Sequence, residues 1–404
     1  MASPASPASP DSPATASPAS PATPLDESPA SPLDESPASP SSPASPEEPS
    51  SYGWGVNSRG QLGSDNPADI VFAPITTAPE ITYFASGTNF ACGLQASGEV
   101  ACWGVNTNGQ CGNGSTGIDV LEPTVIYTDG ASGVTAGESH ACLIDTQSQG
   151  GKCWGLNSSG QLGTGDLINS ASPVAIMGIA SQLTQVTAGG DFTCALTSSN
   201  AYCWGSNAFG QVGVNSDNDR ELQPVALAGP GWTALSAGFQ TGCGIQGGAV
   251  KCWGSNSNGQ VGNGNTDNVF APVSVQTLST SVWVSTWGST SCAVETDGAL
   301  FCWGAGSDGQ LGTGNTTDSL TPVSPSGPEQ TWSQVSSGGL FTCAVTAAAG
   351  DLYCWGSNSE GQLGIDDGTV SVEPAPVGVP LASVTQLSGR TFNVFARAMA
   401  APLI

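Results

Sequence analysis

"CWGSNSNGQVGNG" runs from Cys252 to Gly264 and is one of seven near-copies in a chain of 404 residues. The period on which the copies recur decides the fold before local propensity does. Trp-Gly pairs stand at Trp54, Trp103, Trp154, Trp204, Trp253, Trp303 and Trp355, with gaps of 49, 51, 50, 49, 50 and 52 residues. Each runs into Gly-Gln-x-Gly, beginning at Gly60, Gly109, Gly160, Gly210, Gly259, Gly309 and Gly361. A Pro beside β-branched residues is a second mark, at Pro74, Pro123, Pro173, Pro224, Pro272, Pro322 and Pro376. A third is a hairpin of the type "CAVETDGALFCWG", from Cys292 to Gly304.

Each unit reads as four short strands. One follows the Pro, one is of the "SQVSSGG" type seen at Ser333, one carries a first Cys, and one ends in Cys-Trp-Gly. Gly, Asn and Asp between them supply turn chemistry. No stretch sustains a helical period. Four-stranded units repeated radially make a β-propeller. The expected fold is therefore all-β, a seven-bladed β-propeller over residues 51–404. Its ring is expected to close through a shared blade. "SYGWG" (Ser51 to Gly55) supplies the last strand, and the segment from Leu381 supplies the earlier ones. Such pairing removes the open edges.

The repeat Trp-Gly-x-Asn-x-x-Gly-Gln-Leu-Gly resembles that of the regulator of chromosome condensation repeat family. The likeness covers about residues 52 to 395. It implies a seven-bladed propeller. It implies no single task, because propellers host unrelated ones. The superfamily includes a nuclear nucleotide-exchange factor and a secreted bacterial β-lactamase inhibitor protein with similar repeats.

Twelve of the 13 cysteines fall in six pairs: Cys92/Cys102, Cys142/Cys153, Cys194/Cys203, Cys243/Cys252, Cys292/Cys302 and Cys343/Cys354. Each pair flanks a hairpin turn. Opposed cysteines on antiparallel neighbours can reach disulfide distance, and this density suits an oxidising compartment. The alternative is that each Cys is a small buried hydrophobe. The shared blade lacks its pair, with Gly53 and Val394 expected in the two slots and hence near each other. Cys111 stands in "GQCG", where other copies have Leu or Val, and reads as an unpaired core thiol. Spacings of nine to eleven residues, with one His in the chain, do not match zinc sites.

The repeated sentence reads as structure. Trp is a packing residue. Asn57, Asn106, Asn157, Asn207, Asn256 and Asn358 are expected to bond the local backbone. The copy from Trp303 has Gly306 in that slot. No helix or Lys follows the glycines as a phosphate loop requires. His140 occupies a slot filled elsewhere by Phe90, Phe192, Phe341 or Phe392, and reads as a repeat position and not a general base. Asp217, Asp219 and Glu221 match no full calcium loop. The expectation is a protein without enzymatic activity, metal or cofactor.

Residues 1–50 are different material, with 14 Pro, seven acids and no aromatic residue, Lys or Arg. This Ser-Pro-Ala-rich acidic tail is expected to be disordered, as a spacer or a glycosylated stalk. It resembles the Ser-Pro linkers of algal and plant wall glycoproteins. The formal net charge is −26, of which about −19 belongs to the rest of the chain. Such a surface repels nucleic acid and anionic lipid and favours a basic protein partner. No stretch is long and apolar enough to span a membrane, and no leader is legible ahead of the Ser-Pro tract. The expected molecule is a monomer, extracellular or on the cell surface.

The loops after Gly-Gln-x-Gly vary most among the copies and are acidic. Loops on a rigid scaffold are common recognition sites. Their Asp65, Asp119, Asp166, Asp217, Asp219, Asp267, Asp318 and Asp367, with Phe72 and Phe270, are the candidate binding residues for a protein partner. The expected function is a binding or scaffold propeller. Alternatives are an inhibitor of a secreted enzyme, and guanine nucleotide exchange on a small GTPase. An acidic tail and near-uniform repeat lengths count against the last.

Overall fold

The computed structural model describes residues 49–64, 73–74, 81–327, 330–365, 370–376 and 381–399. The expected tail thus lies outside the described residues, apart from its last two. Seven four-stranded antiparallel sheets form the seven blades of a propeller. In each, strands a to d run from the central channel outward. Blade 1 comprises Ile81–Ser86, Phe90–Gln95, Val100–Gly104 and Val120–Tyr127. Blades 2 to 6 repeat this order over 131–175, 183–226, 232–274, 281–323 and 332–376. Blade 7 is shared by the chain ends. Ala382–Arg390 and Asn393–Met399 are its strands a and b, and Pro49–Gly55 and Ala73–Pro74 are c and d. The amino-terminal end therefore contributes two strands where one was expected.

Register refines two expectations at this joint. Gly53 lies opposite Phe395, and Trp54 lies opposite Val394. The missing Cys pair is thus Gly53/Phe395, one residue from the expected Val394. Likewise the residue in the His140 slot, opposite the Gly of Trp-Gly, is Asn393 and not Phe392. The Phe395 ring takes the disulfide's place. It stacks on Phe84 at 5.1 Å and meets Trp103 edge-on at 6.1 Å.

The Pro mark also shifts. Pro lies inside outer strand d, as Pro224 does within Arg220–Ala226, at an irregularity of the c–d register. A residue without an N–H is tolerated at such a bulge on an outer strand. In blade 6 the register puts Ala375 opposite Cys354, so Pro374 and not Pro376 fills this place.

The six expected Cys pairs are disulfides, one in each of blades 1 to 6. They join Cys92 to Cys102, Cys142 to Cys153, Cys194 to Cys203, Cys243 to Cys252, Cys292 to Cys302 and Cys343 to Cys354. The partners are directly opposed on strands b and c. Their Cα atoms stand 4.0–4.1 Å apart, the close spacing of a non-hydrogen-bonded antiparallel pair. The competing reading, a small buried hydrophobe, is corrected in one respect only: the sulfurs are bonded, yet they are also core. Cys153, Cys203 and Cys302 are fully buried and lie opposite Val174, Val225 and Val323 of strand d. The disulfides are therefore structural and line no binding surface. Cys111 is free and fully buried, and burial pushes its thiol up to about 12.

The hydrophobic core lies between blades. Trp154 of blade 2 packs with Phe90, Cys102 and Cys111 of blade 1. Every repeat Trp donates its indole N–H to the carbonyl of the Gly-Gln-x-Gly glutamine of the preceding blade. The seven bonds, from Trp103→Gln61 round to Trp54→Gln362, span 2.8–3.1 Å. A ring of hydroxyls adds to them beside the channel. Thr135, Thr187, Ser236, Ser285, Ser336 and Ser388 each accept the N–H of an inner-strand residue one blade on, at 2.9–3.1 Å. Blade 1 has Ala85 in this slot.

Candidate functional site

Strand direction alternates within each blade, so the a–b turns and c–d loops share one face of the disc. The b–c hairpins share the other with the connectors between blades. The candidate loops are the c–d loops, and one residue builds each. Asn157 is fully buried. Its Oδ1 accepts the Leu162 N–H at 2.9 Å, while Nδ2 donates to the carbonyls of Asp166 and Ile168 at 3.1 Å. Asn106, Asn207 and Asn256 make the matching bonds to Cys111, Val212 and Val261. The Gln beside it accepts the N–H two residues before itself, as Gln161 does from Ser159 at 2.9 Å. A Gly closes the loop: Gly112 has φ +69°, and a Cβ there would stand 2.8 Å from the Trp154 indole nitrogen. Gly306 fits the same logic, since a Cβ there would lie 2.2 Å from the Thr317 carbonyl oxygen.

The acids of this face divide by what they touch. Asp119 pairs with Arg59 of the neighbouring blade 7 loop and accepts from its guanidinium at 3.0 Å. Asp166 accepts the Ile168 N–H, the Thr164 hydroxyl and the Asn157 amide, which together hold its carboxyl below the usual range. Asp318 accepts the Gly306 N–H at 2.9 Å. Asn169 and Asn268 perform that capping task in blades 2 and 4. By contrast Asp217, Asp219 and Asp267 are exposed, and no hydrogen bond engages their carboxylates among the described residues. Phe270 is 40% exposed at the top of strand d in blade 4. Asp65, Phe72 and Asp367 lie outside the described residues.

The face carries further residues that the sequence reading passed over. With each c–d loop numbered by its blade, Ile118 and Ile168 are 76% and 72% exposed on loops 1 and 2, and Phe209 stands out on loop 3. Nearer the axis, Glu138 and Asp191 sit on the a–b turns of blades 2 and 3. Burial raises both carboxyls above the usual range, and Asp191 raises Glu138 further. Arg390 of blade 7 crosses the channel mouth. It stacks 3.9 Å over the Trp287 ring and donates to the carbonyls of Ala188 and Ala237 at 3.0 and 3.4 Å. Strand parity places all of these on the loop face, a signal the repeat pattern already held.

Catalytic geometry centred on His140 does not form. The ring is fully buried, and its Nε2 lies 2.9 Å from the Thr193 hydroxyl, which itself donates to the Gln161 carbonyl. Nε2 therefore carries the proton and donates. Nδ1 has no hydrogen-bond partner among the described residues. Burial drives the imidazole down to about 3, with a smaller effect from Arg390. Among the described residues no group of three or more His, Cys, Asp or Glu side chains could hold a metal. No helix among the described residues is long and apolar enough to cross a membrane.

Known proteins share this architecture. The family profile described as "RCC1-like domain" matches residues 46–342, and profiles of the regulator of chromosome condensation (RCC1) repeat match 332–362 and 349–394. The Ultraviolet-B receptor UVR8 of Arabidopsis thaliana is 30% identical over 331 residues, which cover 78% of this chain and 74% of the receptor. The probable E3 ubiquitin-protein ligase HERC4 of Homo sapiens is 29% identical over 132 residues, only 12% of its length. Among solved structures, human WBSCR16 superposes with a TM-score of 0.77 at 21% identity, covering 87% of this chain and 99% of that one. Prp20p of Saccharomyces cerevisiae does so with a TM-score of 0.77 at 16% identity, covering 88% and 93%.

Proposed function

Because the chain belongs to the RCC1-like repeat family, we propose that it is a non-enzymatic protein-binding propeller, working outside the cell or at its surface through the acidic c–d loop face. One observation carries this reading. The repeated Gln and Trp of each unit, and the Asn of six of the seven, are buried in the joint between blades, while the residues that vary are exposed on one face. The six disulfides support an oxidising setting. The exposed carboxylates of Asp217, Asp219 and Asp267 lie on the same face of blades 3 and 4 as the exposed Phe209 and Phe270, a mixture suited to a basic partner with an apolar anchor.

The test starts with a pull-down from the source medium. Changing Asp217, Asp219, Asp267 and Asp318 together to Asn should slow association on the order of tenfold and flatten its salt dependence. The melting temperature should hold. Exposed like charges contribute little favourable energy, and Asn can cap Gly306 as it caps blades 2 and 4. A partner insensitive both to salt and to the four changes would refute this face.

A further inference from the structure

We propose that Asn113 and Asn315 are N-glycosylation sites whose glycans flank the acidic arc of blades 2 to 4. The inference rests on the oxidising, secretory setting proposed above. The chain holds three Asn-x-Ser/Thr triplets without an intervening Pro: Asn113-Gly114-Ser115, Asn157-Ser158-Ser159 and Asn315-Thr316-Thr317. Such a triplet is the acceptor for N-linked glycans when it lies on the surface of a secreted protein. In the transfer, the Asn amide nitrogen attacks C1 of an oligosaccharide carried on a polyprenyl diphosphate. The N–C bond forms as the C1–O bond breaks, the nitrogen gives up a proton, and the lipid diphosphate leaves.

The three sites differ in access. Asn113 and Ser115 are both exposed, and the Asn113 Oδ1 accepts the Ser115 hydroxyl at 2.8 Å and its N–H at 3.1 Å. Its Nδ2 makes no hydrogen bond among the described residues. Asn315 is exposed with Thr317, accepts the Thr317 N–H at 2.9 Å, and sends Nδ2 to the Thr313 carbonyl only at 3.4 Å. Asn157 is fully buried, with Nδ2 committed to the loop's own carbonyls. A glycan there would remove those bonds and could not fit the joint, so folded molecules carry none. Blade 4 offers a natural comparison. Asn263 and Asn265 occupy the slots of Asn113 and Asn315, but Asn265 and Asp267 follow them where the hydroxyl residue is needed. Glycans in loops 1 and 5 would leave clear the loops between them, which carry Asp166, Asp217, Asp219 and Asp267.

The full chain, secreted through a eukaryotic lumen, is treated in heavy-oxygen water with the amidase that releases N-glycans, and its peptides are weighed. Isotope-marked Asp at 113 and 315, with Asn157 unmarked, is the expected result. Ser115→Ala and Thr317→Ala should each remove one glycan while retaining the Asn. Unmarked Asn113 and Asn315, or a marked Asn157, overturn the assignment. A thiol count on the same sample separates the causes. Bare sites with only Cys111 free overturn the glycans alone, whereas bare sites with all 13 thiols free overturn the oxidising setting as well.

Discussion

His140 shows how a repeat position can carry a physical liability. Its slot holds Phe90, Phe192 and Phe341 in other blades, and each ring lies over a Gly of the a–b turn, as His140 lies over Gly137. The imidazole is kept neutral, with a folded value of about 3 against an ordinary 6.5. For a base depressed in this way, the unfolded state takes up a proton first. The neutral ring imposes no penalty above pH 6.5, and stability is lost as pH falls from 6.5 towards 3. At pH 5 the loss is about 2 kcal/mol. His140→Phe should therefore melt higher than the parent at pH 5, with a smaller gain at pH 7.5, when both are followed by calorimetry. An equal gain at both values would show that the ring's charge is irrelevant. The slot and its Phe alternatives were legible in the sequence, whereas the unpartnered Nδ1 was not, because it depends on what the next blade presents.

At the scale of the element, the b–c hairpin and the c–d loop are the repeated devices. Gly298 takes φ +86° and closes the Thr-Asp-Gly turn of blade 5, bonding back to the Glu295 carbonyl at 2.9 Å. Each hairpin of blades 1 to 6 carries a disulfide that closes a short loop, so in the chain-entropy view each adds about 2–3 kcal/mol. Thiol counting in denaturant without reductant should find one reactive group per chain, assigned to Cys111, and none in the native protein, where that thiol is buried. Thirteen reactive thiols in protein from its native source would contradict the disulfides. In the c–d loop, Asn256→Ala leaves the Val261 N–H and two carbonyls without their partner. Burying such groups unsatisfied costs about 1–3 kcal/mol each. The melting temperature should fall by several degrees, while Asn263→Ala on the same loop's partly exposed rim should move it little. The acids of these loops were legible in the sequence. Their division into free and structural acids was not visible, because Asn169 and Asp318 do the same capping work with different charge.

At the scale of the whole molecule, the ring stands or falls on blade 7. Strand Pro49–Gly55 pairs along its full length with Asn393–Met399, and Gln386 exchanges two hydrogen bonds with the Phe84 backbone at 3.1 Å. A chain beginning at residue 49 should melt like the full chain, given the composition of what is removed. One beginning at residue 56 loses strand c and the Trp54–Gln362 bond, leaves an open edge, and should melt far lower or aggregate. Equal melting of the two would dismiss the closure. Arg390 gives a second check, since it ties blade 7 across the channel to blades 3, 4 and 5. Arg390→Ala should cost about 2 kcal/mol, from the lost stacking and charged hydrogen bonds, measured by denaturant midpoint at unchanged slope.

The period, the four strands per unit, the number of blades, the Cys pairs and the shared blade were all written in the sequence. Each is a repeated local signal, and seven copies confirm one another's register. What only the tertiary structure decided lies where the copies stop agreeing. Gly53 faces Phe395 because the last strand pairs with a segment more than 330 residues away in sequence. No local rule counts register across such a gap. Arg390 stacks on Trp287 because a closed ring brings its far sides within one side chain's reach. The exposed carboxylates of Asp217, Asp219 and Asp267 differ from that of Asp318, which accepts the Gly306 N–H and, at 3.5 Å, the Asn258 amide, donors placed by how the loops fold over the buried joint between blades.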